Sequence, residues 1–411
     1  MPTNKRKIIN DPIYGFVSIP NELIYDLINH PWFQRLRRIK QLGLTNLVYP
    51  GALHTRFHHA IGAMHLMQDA VNTLKQKDVE ITDKEEEAVL IAILLHDIGH
   101  GPFSHALEHS IVKSIKHEEL SELFMDRLNQ EFGGKLSLAI KLFKNQYKKR
   151  FLHQLVSSQL DMDRLDYLKR DSFFTGVVEG VISSERIIKM LNVSKDELVV
   201  EHKGIYSIEK FLIARRLMYW QVYLHKTVLS SENLLVKILQ RAKELASKGR
   251  DLFATPAFSV FLKNKYKHKD FLNNNHLLEQ FARLDDNDLM ASIKVWAEDE
   301  DPILSRLSSN LLNRKLYKVE MGNTASPAAH KQRLTEAVCK KYGIKAYEAD
   351  YFVFNGTVNN SAYDEKSINI NILMNDGSLV DVATASDLLN LKSLSKTVSK
   401  HYLCYPKDLK V

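Results

Sequence analysis

Cysteine is nearly absent: Cys339 and Cys404 are the only two in 411 residues. Two thiols so placed build neither a disulfide framework nor a metal knuckle, and they suit a reducing compartment such as the cytoplasm. Apolar runs of 18 residues are missing too, so no membrane-spanning helix is expected. The opening decapeptide MPTNKRKIIN is basic but has no apolar stretch of signal-peptide type. Internal repeats, low-complexity tracts and obvious long linkers are likewise missing. What is there is ordinary for a globular protein, at 45% hydrophobic and 26% charged residues, and the length suits two or three domains. The formal charge of +8 fits polyanionic ligands such as nucleotides or nucleic acid, and equally a surface rich in lysine.

Histidine is abundant where other special residues are scarce. Nine of the 17 histidines (54, 58, 59, 65, 96, 100, 105, 109, 117) fall between positions 54 and 117. Packing explains such clustering poorly. At its centre LIAILLHDIGHGPFSH (90–105) runs from an apolar helix into an adjacent His96-Asp97 pair, followed by Gly99, His100, Gly101-Pro102 and His105. Adjacent His and Asp cannot share one face of a continuing helix. At a fraying end, where Gly and Pro break the ladder, both can turn toward one ion. Imidazole nitrogen with carboxylate oxygen suits a divalent, hydrolytic metal. A single His-Asp dipeptide would more often be a surface pair; the clustering points to metal.

In chain order, 11–19 reads as a hairpin edge, and Pro31 as the start of a helix WFQRLRRIKQLG with Arg35, Arg37 and Arg38 on a cationic surface. Residues 46–57 lead by turns into a helix bearing His58 and His59. A helix over 83–96 is capped at Thr82 or Asp83, and another covers 117–132. Residues 151–171 read as helix, with Asp161, Asp163 and Asp166 so close that Arg164 or a metal must neutralise them. Long helices fill 205–248, and helix continues over 250–312. From about 313 strands and one helix alternate, with Asp376-Gly377 as a hairpin turn and 355–367 as a mobile loop.

Three ordered motifs, HTRFHHAIG (54–62), HDIGHGPFSH (96–105) and LDMDRLDYLKRD (160–171), with RKLYK (314–318) as a later local match, resemble those of the HD-domain phosphohydrolases. The match is closest to the deoxynucleoside triphosphate (dNTP) triphosphohydrolases, the branch holding the vertebrate enzyme that joins a SAM domain to an HD domain. It is close over about 8–230 and then thins. The resemblance implies a mainly α protein with a helical HD-domain core, placed with its helical extension over 1–312, and the strand and helix order after that suggests a smaller C-terminal α+β domain over 313–411.

It further implies metal ligation by His59, His96, Asp97 and Asp163, with His58 at a position often acidic in relatives. One divalent ion is implied (Fe, Mn, Mg or Zn not being distinguished), with room for a second Mg on the substrate phosphates. His105 matches the proton donor to the leaving 5′ oxygen, with Glu108 and His117 to tune it. His65 and His109 read as structural or surface residues, and His100 stays open. Arg56, Arg164 and Arg215 match phosphate contacts. Gln41, Leu42, Tyr167, Asp171 and Tyr223 match sugar contacts, in which Gln and Asp hold the 3′ hydroxyl while Tyr and Leu crowd the 2′ position. A regulatory nucleotide site would involve Gln34 and Arg37, but Asn29 replaces its guanine-reading acid, so regulation by GTP is not expected. The implied protein is a cytoplasmic homo-oligomer, a dimer or tetramer, acting on a nucleotide. Two other readings stay open: a phosphoesterase acting on another nucleotide or on single-stranded nucleic acid, and a nucleotide-sensing or nucleic-acid-binding module.

Overall fold

Leu90 to Leu95 are six consecutive residues, each at most 1% exposed. A helix apolar all round must sit inside, and Asp83–Leu95 is the central helix of this protein. A computed structural model describes residues 7–103, 106–107, 110–112, 115–360, 363, 369–387 and 396–409. The fold is mainly α. The central helix starts at a capping box in which Thr82 and Glu85 satisfy each other's backbone N–H groups. Arg56–Lys75 and Ser137–Phe143 pack against it, and Met162–Thr175 packs on Arg56–Lys75. That last contact brings the first and third histidine- and aspartate-bearing motifs together.

Several local expectations need correction. The helix from Pro31 stops being α-helical at Gln34, tightens into a 3-10 turn over Arg35–Arg38, and ends as Lys40 bridges to Thr55. Of the three arginines expected on a cationic surface there, Arg37 and Arg38 are exposed but Arg35 is not. Arg35 is fully buried, donating to the carbonyls of Leu284 (3.1 Å) and Ile98 (2.7 Å); burial lowers its pKa to about 9. Arg37 lies over the Phe57 ring and Arg38 pairs with Asp285. Residues 151–171 form two helices, Arg150–Val156 and Met162–Thr175, because the Asp161 side chain accepts from the backbone of Ser158 and Arg164 and so caps the second. The long apolar stretch from 205 breaks as well: Ile205–Met218 runs into a π-turn, Tyr219–Tyr223, and Lys226–Ser247 begins anew behind a His225 cap.

Nine strands, β1 (Ile8–Asp11), β2 (Gly15–Ser18), β3 (Leu191–Ser194), β4 (Glu197–Glu201), β5 (Lys318–Gly322), β6 (Phe354–Asn360), β7 (Asn371–Leu373), β8 (Leu379–Asp381) and β9 (Val398–Tyr405), make three small sheets among the described residues. The first is the expected hairpin, β1-β2. In the second, ordered β3-β4-β7-β8, β4 pairs with β7 in parallel, so strands from either side of residue 313 share one sheet. The Asp376-Gly377 turn joins β7 to β8, with Gly377 at φ +84°. The third is antiparallel and ordered β5-β9-β6. Residues 355–360 of the expected mobile loop are thus part of a paired strand, because Asn355 to Asn360 each find a partner on β9, while 361–362 and 364–367 lie outside the described residues. One hydrophobic core runs from Val17 to Tyr405.

Candidate metal and phosphate site

Asp83–Leu95 ends one residue before His96, and the next turn, closed by the His100 N–H on the Asp97 carbonyl, lets both side chains face one point. His59, His96 and Asp163 offer ligand atoms all within 4.8 Å of one another. The His59 and His96 Nε2 atoms are 3.3 Å apart, and Asp163 Oδ1 lies 3.1 Å from the first and 3.6 Å from the second. Asp97 joins them, with Oδ1 3.3 Å from His96 Nε2 and Oδ2 3.9 Å from His59 Nε2.

The far side of each ring is tied down. His59 Nδ1 meets Asp166 Oδ2 at 2.7 Å, and His96 Nδ1 donates to the Ile93 carbonyl at 2.6 Å. These bonds leave both Nε2 atoms aimed at the gap, as metal-binding imidazoles require. Burial opposes a charge on His59, but hydrogen bonds with Asp163 and Asp166 outweigh it and raise its pKa to about 10. Burial would likewise raise the Asp97 pKa, yet His96, His100 and Arg56 hold it well below the usual carboxylate range. Two imidazoles and two carboxylates around one gap fit a divalent ion.

The adjacent His58 and His59 part at the helix start. His58 Nδ1 accepts from the Thr55 backbone at 3.2 Å as part of a capping box, so it serves the helix and His59 faces the gap. Beyond the gap opens a cavity of about 670 Å³. Arg56, Arg164, Asp97 and Asp163 line one part of it; Gln41, Leu42, Tyr167, Asp171 and Tyr223 line another. Arg56 Nη1 donates to Asp97 Oδ2 at 2.5 Å, and Arg164 pairs with Asp161. The buried Nε atoms of Arg56 and Arg164 have no protein acceptor.

An HD-domain model matches residues 56–171, and a model of the HD-associated region matches 182–255. A crystal structure of a phosphohydrolase from Bacteroides thetaiotaomicron is 55% identical, with a TM-score of 0.95 over 98% of this chain and 100% of that one. The uncharacterized protein YwfO of Bacillus subtilis is 33% identical over 99% of this chain and 93% of its own. The chain belongs to the HD-domain phosphohydrolases. A Dictyostelium discoideum protein named deoxynucleoside triphosphate triphosphohydrolase SAMHD1 homolog is 30% identical over 76% of this chain and 59% of its own.

In this HD phosphohydrolase, seven of the eight residues matched to substrate contacts line the cavity. Arg215 is not on its wall, although its charge acts on the Tyr167 hydroxyl. His117 lines the cavity and stacks on His100 with ring centroids 3.9 Å apart. His105 and Glu108 lie outside the described residues, as does His109. His65 sits against Tyr14 and Asp69, away from the ligand group. At the surface corner near Asn29, Gln34 donates to the Ile28 carbonyl and Arg37 donates to Gln34, while Asn29 donates to the Tyr25 carbonyl.

Other residues at the site were given no site role by the sequence. His100, left open by the sequence, lines the cavity with Nε2 3.2 Å from Asp97 Oδ1; burial first, then Arg56, lowers its pKa to about 3 and keeps it neutral. Asp166 orients His59. Tyr219 reaches the cavity because the π-turn puts it beside Tyr223. Glu232, Asn233 and Tyr402 complete a wall that only the folded chain brings together. Among the described residues, no helix is long and apolar enough to cross a membrane.

Proposed function

We propose that this phosphohydrolase cleaves deoxynucleoside triphosphates to deoxynucleoside and tripolyphosphate. The observation that carries the reading is the opposed chemistry within one cavity. Near the metal-ligand group, the guanidinium groups of Arg56 and Arg164 line the cavity, and their charge and directed N–H donors suit the oxygens of a phosphate chain. Elsewhere on the wall, Asp171 and Gln41 carry oxygen acceptors, which suit a hydroxyl. A molecule with a polyphosphate at one end and a hydroxylated sugar at the other answers both demands. The name carried by the Dictyostelium relative agrees with that substrate class.

His59, His96, Asp97 and Asp163 would hold the divalent ion, which when bound supplies Lewis acidity toward a phosphoryl oxygen and makes nearby water more acidic. Arg56 and Arg164 bind and orient the phosphates. Water attacks the α-phosphorus, the bond to the 5′ oxygen breaks, and that oxygen takes a proton as the nucleoside leaves. His105 is the donor the family resemblance implies. The test is phosphate speciation after incubation of the purified protein with each dNTP and a divalent ion. Tripolyphosphate and deoxynucleoside in equal amounts are expected; monophosphate, pyrophosphate or shortened oligonucleotides as the product would overturn the reading.

Tyr223 carries a second expectation. Its ring lines the cavity and its hydroxyl donates to Asp171 Oδ2 at 2.7 Å. Tyr223→Ala should admit ribonucleotides, with the preference for deoxy over ribo substrates shrinking by about tenfold or more, since bulk is the main barrier to an added hydroxyl. Paired kcat/KM values for each ribo- and deoxynucleotide measure this. An unchanged ratio would mean that Tyr223 does not border the 2′ carbon.

A further inference from the structure

His54 belongs to none of the ligand or wall groups described above, yet it is 2% exposed and touches two of the sugar-facing residues. Its Nε2 lies 2.7 Å from Asp171 Oδ1, and its carbonyl accepts the Gln41 N–H at 3.0 Å. The Tyr223 hydroxyl donates to the other carboxylate oxygen, Oδ2, at 2.7 Å. Asp171 can only accept in this arrangement, so His54 carries its proton on Nε2. The Nδ1 atom is buried without a partner, which fits that single tautomer. The ring is also fixed in space. It stacks on Phe174, with centroids 4.5 Å apart and planes 19° apart. Three residues back, a Cβ on Gly51 would come within 2.6 Å of the Phe174 carbonyl oxygen, so the segment lies hard against the end of the Met162–Thr175 helix.

We infer that His54 is a positioning residue for sugar recognition: it holds the Asp171 carboxylate and the Gln41 backbone in register so that both acceptors meet one substrate hydroxyl, the 3′ hydroxyl. This rests on the dNTP reading above. With one bond from His54 and one from Tyr223, each Asp171 oxygen keeps a lone pair, but neither can rotate away from the cavity. A hydroxyl bound there donates into a preset acceptor. Removing His54 frees the carboxylate to turn and leaves a buried oxygen short of a donor, so the hydroxyl loses its fixed partner.

The experiment pairs each dNTP with its 2′,3′-dideoxy counterpart in wild type, His54→Phe and His54→Gln. Phenylalanine keeps the stack on Phe174 and removes the donor; glutamine restores an N–H near the Nε2 position. Melting temperature and metal content are measured on all three. Wild type is expected to favour the 3′-hydroxyl substrate by about 100-fold in kcat/KM, His54→Phe by about tenfold or less, and His54→Gln by an intermediate factor. A merely structural role would depress both substrates alike and leave the ratio unchanged, and that result in either soluble variant overturns the inference. If wild type turns over dNTPs but shows no preference for the 3′ hydroxyl, the inference fails while the dNTP reading stands. Absence of turnover on every dNTP sinks both.

Discussion

His96→Ala is expected to purify without its metal and to lose hydrolysis by about three orders of magnitude or more, since Lewis-acid stabilisation contributes several kcal/mol to such reactions. Three features make His96 the sharpest probe of the ligand group. Its Nε2 is within 3.6 Å of His59, Asp97 and Asp163 alike. Its Nδ1 is committed to the Ile93 carbonyl, so the lone pair of Nε2 has no other use. The residue also stands past the end of the Asp83–Leu95 helix, where alanine does not disturb the helix itself. Elemental analysis of the variant alongside a turnover assay decides the matter. Wild-type activity in a variant shown to be metal-free would refute the ligand assignment.

The second large effect concerns stability. Arg170 is fully buried, with Nη1 2.8 Å from Asp11 Oδ2, and with Nε and Nη2 each 2.9 Å from an oxygen of Asp166. Asp11 comes from β1, so this guanidinium ties the N-terminal hairpin to the Met162–Thr175 helix. Both carboxylates are themselves buried. Arg170→Ala strands two negative charges in the interior and should cost about 3–5 kcal/mol, the range for breaking a buried ion pair from one side. Urea unfolding of metal-free wild type and variant gives the difference without the contribution of bound ion. A loss below about 1 kcal/mol would mean that water reaches the carboxylates and replaces the arginine.

The gathering of His59, His96, Asp97 and Asp163 was legible in sequence because each comes from a short motif whose local geometry is nearly self-contained. His96 and Asp97 follow a helix that must end, and Asp163 stands two residues after a helix-capping Asp161. The resemblance assigns the ligand role to His59 rather than His58, and the capping bond spends the His58 side chain on the Thr55 backbone. Arg35 misled because a charged residue beside two others reads as surface, whereas the chain tightens at Arg35–Arg38 and turns it onto the Leu284 and Ile98 carbonyls. Tyr219 was hidden by periodicity: a π-turn shifts the register of everything after Met218, and an α-helical wheel cannot anticipate it. Glu232, Asn233 and Tyr402 carry no local signature. Their place on the cavity wall follows from Lys226–Ser247 packing against β5 and the Gly43–Leu47 turn, contacts between residues far apart in the chain. The parallel pairing of β4 with β7 was unreadable for the same reason.

The order β5-β9-β6 has a consequence for how the protein is made. Strands leave the ribosome in chain order, but both neighbours in this sheet need the strand synthesised after them. Until Val398–Tyr405 emerges, β5 and β6 have no partner in their sheet, and their open edges are the kind that recruit other chains. The cavity matures at the same moment, because Tyr402 belongs to that strand and its hydroxyl donates to Asn233 on the wall. His59, His96 and Asp163 therefore all leave the ribosome well before the strand that finishes the pocket. Translation that stops short of β9 leaves the ligand group without its enclosing wall, so the completed site comes only with the last strand.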